Sequence, residues 1–145
     1  GHQAIAMALG GAVEKNPEGW VFGLAETISA PMSGEKSPIR LYAAHLEQVT
    51  ALPEGARVLG GSPGCPLGSF AMGDHVFTTQ YHPEMTHAFI AALTDHLDGI
   101  LPPEVIAASR ASLVQRAETD RMAGWIIGFF EQAQDSAAKR SIAVI

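Results

Sequence analysis

Strands crowd the first half of this chain and helices the second, which predicts a mixed α/β domain with a helical closing segment. Two further observations support that class. Residues 75–81, HVFTTQY, are rich in β-branched and aromatic side chains, as strands are. Met122, Trp125, Ile126, Phe129, Phe130 and Ala133 follow the i, i+3, i+4, i+7, i+8, i+11 series of one helix face. At 145 residues the chain makes a single domain over 1–145, with 103–138 as its helical closing segment. A chain of this length buries about two-thirds of its unfolded surface and needs no disulfide or metal staple.

The elements follow in order. Residues 2–9, HQAIAMAL, are helix formers, and Gly10-Gly11 supplies the stop. Residues 20–30 read as a strand with a glycine interruption, and 31–38, PMSGEKSP, as a loop. Ile39–Ala44 is a short strand, LPEG at 52–55 a turn, and Ala56–Gly60 another strand. Ser69–Met72 and His75–Tyr81 flank Gly73-Asp74, the composition of a tight hairpin. After Pro83, the spacing of Phe89, Leu93 and Leu97 predicts a helix buried on that face. Pro102-Pro103 opens the next, with Val105, Ile106, Leu113 and Val114 expected inside. Thr119 is the expected N-cap of the last helix, whose aromatic stripe reads as core packing.

Composition narrows the function. Nine basic residues against 15 acidic give a net charge of −6, the wrong sign for gripping a phosphate backbone. No apolar run approaches the ~20 residues of a membrane span. The single cysteine excludes an internal disulfide and any C-x-x-C site, and fits a cytoplasmic protein. Phosphate-loop and dinucleotide glycine motifs are absent, as is a G-x-S-x-G elbow.

The residues with chemistry to offer are His82-Pro83-Glu84. On an extended chain i and i+2 share a side, and Pro83 keeps His82 out of the helical region. Glu84 can then accept one imidazole N–H and leave the other nitrogen as a base. On these three residues alone, a strand-end turn with two solvated side chains is the weightier reading. Cys65 stands in SPGCPLGSF with no cation beside it to favour a thiolate, and reads as a loop or packing cysteine. His82, Glu84 and His87 lack the H-E-x-x-H spacing, so no metal site is expected.

Several segments together resemble the class I glutamine amidotransferase family. Gly1-His2-Gln3 is similar to the end of its G-x-C-x-G-H-Q nucleophile elbow, and a fitting helix follows. Gln80-Tyr81-His82-Pro83-Glu84 resembles its Q-[FY]-H-P-E segment. His45-Leu46-Glu47-Gln48-Val49 with Leu52-Pro53 resembles its H-x-[DE]-x-V…L-P stretch, with Leu46 where many members have glycine. The C-terminal helices with Trp125 and Phe129 look like stand-alone members related to GMP synthase glutaminases. The resemblance implies a three-layer α/β sandwich with a mostly parallel central sheet, the hairpin at 69–81 adding antiparallel strands near one side.

It also implies glutamine hydrolysis without a cofactor. His82 and Glu84 would be catalytic, and Gln3 and the segment at His45 would bind glutamine. The nucleophilic cysteine would lie two residues before Gly1, making this the C-terminal portion of a larger amidotransferase domain. Ammonia would pass to a synthetase that is another protein. Hydrolysis of another γ-glutamyl compound, or a non-catalytic scaffold of the same fold, are the alternatives. Residues 1–145 expressed alone are expected to aggregate or fold poorly; a cooperative thermal transition in a monodisperse sample would contradict this.

Overall fold

In the computed structural model the described residues are 1–29 and 37–142. Among the described residues four helices and seven strands run in the order α1 (His2–Ala8), β1 (Ala12–Lys15), β2 (Val21–Ser29), β3 (Ser37–His45), β4 (Glu47–Ala51), β5 (Ala56–Ser62), β6 (Cys65–Met72), β7 (Val76–Thr79), α2 (His87–His96), α3 (Pro103–Ser112) and α4 (Thr119–Ile142). Gly10, at φ 93°, ends α1 in the left-handed conformation the sequence predicts. Helix α3 opens on Pro103 as expected. The loop expected over 31–38 lies outside the described residues, except Ser37 and Pro38, which open β3. No described helix is long and apolar enough to cross a membrane.

Five strands form one sheet in the order β3-β2-β5-β6-β7, and β1 pairs with β4 in a small second one. Every pairing among the described residues is antiparallel. The expected mostly parallel central sheet is therefore not what these strands build. The reason lies in the connections: β5 reaches β6 through Pro63-Gly64, and β6 reaches β7 through Gly73, Asp74 and His75. A parallel pair needs a crossover of a dozen or more residues. The expected hairpin stands at one side of the sheet, with Ser69 opposite Thr79 and Met72 opposite Val76, but its turn takes in His75 as well as Gly73-Asp74.

No sequence pattern marks β1 and β4. AVEK and EQVTA are short and half polar, and they stabilise each other, Val13 facing Val49 and Lys15 facing Glu47. Cys65, expected in a loop, instead opens β6 and is buried.

The outer edge of β3 is closed by what comes after it. Arg121 donates from Nη1 to the Pro38 carbonyl at 2.9 Å. The Glu118 N–H reaches the Arg40 carbonyl at 2.8 Å, and the Arg40 N–H reaches Glu118 Oε2 at 3.0 Å. The His82 N–H reaches the Tyr42 carbonyl at 2.8 Å. Positions 38, 40 and 42 present their backbone groups to the same side, so an edge that would otherwise invite another strand is covered.

Two helix faces differ from expectation. In α2 the buried positions are Ile90 and Thr94, while Phe89 is 52% exposed. In α3 Ile106 is buried as expected, but the other buried position is Ser109, and Val114 beyond the helix is 85% exposed. A polar contact sets both faces: Thr94 Oγ1 donates to the Ile90 carbonyl, and its hydroxyl meets that of Ser109 at 2.8 Å. Small side chains let α3 approach β2 closely, and Ser112 Oγ accepts the Leu24 N–H at 2.9 Å. Helix α4 buries Met122 against Ile39, Leu41, Ala43 and Tyr81, and Phe129 against Leu59 and Ala71, as its stripe predicts. Phe130 stays on the outside, 43% exposed. The helix begins at Thr119 itself, so Glu118 holds the cap position, its carbonyl accepting the Met122 N–H at 3.3 Å.

Gly23 sits where α3 comes closest. Its φ is 103°, and a Cβ there would lie 2.9 Å from the Ser109 Cα and 2.7 Å from Ser112 Oγ. Gly23→Ala is expected to cost about 3 kcal/mol, combining left-handed strain with overpacking. Urea unfolding of the intact protein checks this; a change under about 0.5 kcal/mol would show that α3 yields freely.

Candidate active site

The site is an open cleft of about 860 Å³ where α1, the β3–β4 junction and the segment after β7 meet. Gln3, His45, His82 and Glu84 all line it, so the four residues singled out from sequence converge. Cys65 is not among its lining residues, and burial pushes that thiol up to about 11. Among the described residues no cluster of His, Cys, Asp and Glu is placed to hold a metal ion.

His82 Nδ1 and Glu84 Oε1 are 2.7 Å apart. The expected proximity is present, but its backbone is not extended. The Met85 N–H returns to the His82 carbonyl at 3.2 Å, closing a β-turn with Pro83 at its second position. Proline suits that position because its φ is already set. Partial burial acts to raise the Glu84 carboxyl, but hydrogen bonds from His82 and from its own backbone, with the nearby imidazole charge, outweigh it and hold the group below its ordinary value. An ionised carboxylate only accepts, so Nδ1 carries the proton and Nε2 is the nitrogen able to take one.

Gln3 is oriented by two acceptors. Its Nε2 donates to the Glu47 carbonyl at 2.7 Å and to Gln80 Oε1 at 3.2 Å. Both amide hydrogens are then used, and Gln3 can offer a ligand only its Oε1. The Glu47 carbonyl also accepts from His45 Nδ1 at 3.0 Å. His45 is 5% exposed, and its buried Nε2 has no partner among the described residues. Burial lowers the His45 pKa, against the Glu47 contact and with help from the positive potential of His82. The imidazole is held neutral, with a lone pair on Nε2.

Sequence reasoning gives His2 no role beyond its place in a motif. Its Nε2 donates to the Leu67 carbonyl at 3.0 Å, which leaves Nδ1 to accept from Thr78 Oγ1 at 2.9 Å. The ring tilts against Phe70 at 5.1 Å. His2 thus ties the start of α1 to the β6–β7 hairpin. Trp20 and Gln80 on the cleft wall also escape sequence reasoning. Gln80 stands inside a recognised motif, but only the fold shows it holding Gln3.

The sequence profile of glutamine amidotransferase class-I matches residues 1–90. The chain belongs to that family. It is 28% identical over 134 residues to Gamma-glutamyl peptidase 3 of Arabidopsis thaliana, covering 84% of this chain and 53% of that protein. It is 36% identical over 94 residues to a glutamine-hydrolyzing GMP synthase subunit of Halobacterium salinarum, covering 60% of this chain and 50% of that one. The chain therefore spans about half the length of these two relatives. A crystal structure of a glutamine amido transferase from Methylobacillus flagellatus shares the fold, with TM-score 0.71 and 20% identity over 90% of this chain and 59% of that one.

Burial drives the His2 pKa from 6.5 down to about 4, despite the opposing Leu67 hydrogen bond. The unfolded chain then binds more protons than the folded one between those values. Stability is full above pH ~6.5 and falls as pH drops toward 4, by about 3 kcal/mol from this group. His2→Gln is expected to flatten that part of the stability–pH curve. Urea midpoints at pH 7, 5.5 and 4 check it, and an unchanged slope would refute it.

Proposed function

We propose that this amidotransferase hydrolyses the side-chain amide of glutamine to glutamate and ammonia through a Cys–His–Glu triad. His82 and Glu84 are two members, and the nucleophile is a cysteine two residues before Gly1. The observation that carries the reading is the 2.7 Å bond from His82 Nδ1 to Glu84, which leaves Nε2 as base on a cleft wall. Nε2 takes the thiol proton as sulfur attacks the amide carbon. The same nitrogen protonates the leaving ammonia, and the C–N bond breaks to give a thioester. Water, deprotonated by Nε2, then cleaves the thioester, releasing glutamate and restoring the thiol. Glu84 orients the imidazole and stabilises its charged form. Backbone N–H groups around the nucleophile hold the oxyanion.

Gln3 and the segment at His45 bind the substrate in this reading. Gln3 offers Oε1, an acceptor of the kind an α-ammonium group needs, and the backbone at Ala44 and His45 lines the cleft beside it. The ammonia acceptor is a separate synthetase, a partnership supported by likeness to a protein named as one subunit of a GMP synthase.

A second substrate, a γ-glutamyl compound such as a γ-glutamyl peptide, is favoured by one observation. Trp20 and Leu46 give the cleft an apolar wall, suited to a leaving group larger than ammonia. The mechanism is unchanged, an amine or peptide leaving in place of ammonia.

Purified intact protein, with its mass and N-terminal sequence determined, should be assayed with glutamine and with a γ-glutamyl dipeptide. His82→Ala is expected to lower turnover at least about a thousandfold and Glu84→Gln about a hundredfold. Wild-type turnover that His82→Ala leaves intact would refute the triad. No turnover of either substrate would favour a non-catalytic scaffold.

A further inference from the structure

Tyr42 touches the segment that carries His82 and Glu84 at both of its ends. At the start, its carbonyl accepts the His82 N–H at 2.8 Å. At the far end, its hydroxyl lies 3.1 Å from His87 Nδ1, at the first residue of α2. The same hydroxyl accepts the Ala117 N–H at 3.4 Å. Its own hydrogen is thus free to be donated to His87. Between the two anchors the segment is a β-turn, closed from Met85 to His82, followed by Thr86 capping α2 through the Phe89 N–H at 3.1 Å.

The anchor is rigid. Tyr42 is 2% exposed and sits inside β3, opposite Leu24 of β2. Glu84 is not held so well, since its side chain is 69% exposed and leans on the His82 imidazole. A solvated carboxylate keeps one geometry only if the backbone beneath it does. The segment therefore needs an anchor on each side of the turn, and one buried tyrosine supplies both.

We propose that Tyr42 is the positioning residue of the His82–Glu84 pair, its hydroxyl clamping the far end of the segment through His87. The inference rests on His82 acting as base in the reaction proposed above. Removing the hydroxyl leaves the carbonyl contact in place but releases the His87 end, and Glu84 with it. A base displaced by a fraction of an ångström loses turnover more than it loses substrate affinity.

The test uses the intact protein with Tyr42→Phe, His87→Ala and His87→Asn. Asparagine places its side-chain carbonyl oxygen where His87 has Nδ1, so it can accept the Tyr42 hydroxyl and is the rescue variant. Expected are a kcat lower by about tenfold for Tyr42→Phe and His87→Ala, a KM within about twofold, and recovery in His87→Asn. In imidazole ¹⁵N NMR spectra the signal of the His82 Nδ1–H bonded to Glu84 should broaden or vanish in the first two variants and persist in the third. Should Tyr42→Phe fail to fold, the two His87 variants carry the test. A lower melting temperature with unchanged kcat and an unchanged Nδ1–H signal would overturn the proposal. A wild type without turnover whose Nδ1–H signal still depends on Tyr42 and His87 would sink the hydrolase reading and leave the clamp standing.

Discussion

The hydrogen bond from the His82 N–H to the Tyr42 carbonyl joins the last strand segment to the first edge of the sheet. Residues 80–82 leave the β6–β7 hairpin and cross to β3, where 38 and 40 are already covered from the start of α4. This curls the sheet, so that residues from its two ends share one cleft. His45 closes β3 and His82 follows β7, the strands at opposite ends of the five-stranded order. Without that closure position 42 of β3 would be uncovered and the two histidines would not share a cleft.

The cleft is then organised by carbonyls more than by charges. The Glu47 carbonyl holds both Gln3 and His45, and the Leu67 carbonyl holds His2. Because a carbonyl only accepts, each contact fixes which nitrogen carries hydrogen and which lone pair is left. Two of the histidines are thereby buried neutral, and burial moves both down from their ordinary value. His82 differs in kind: its partner is a carboxylate that burial has not neutralised. The contrast separates two histidines fixed by backbone carbonyls from one fixed by a carboxylate.

Packing around β2 follows a related logic. Gly23, Thr94, Ser109 and Ser112 are small, and their hydroxyls are satisfied within a few ångströms of one another. Close approach of backbone replaces bulk there. That is why Phe89 and Val114, the larger apolar candidates, are left outside while Thr94 and Ser109 go in.

Much was legible without coordinates wherever one residue's chemistry decides its own surroundings. Gly10 after helix formers, Gly73 in a hairpin and Pro103 at a helix start act through local backbone geometry. The α4 stripe marks its buried face because Met122 and Phe129 are large and regularly spaced. Gln3, His45, His82 and Glu84 could be picked out from family motifs, and Glu84 also from its spacing to His82. Strand partners, the faces of α2 and α3, and the roles of His2, Tyr42, Gln80 and His87 were decided by tertiary structure. They rest on hydrogen bonds between residues far apart in the chain, such as Tyr42 with His87 and Gln3 with Gln80. Hydropathy and spacing record what a segment can bury, but a hydrogen-bond partner is chosen only when the fold brings it within reach.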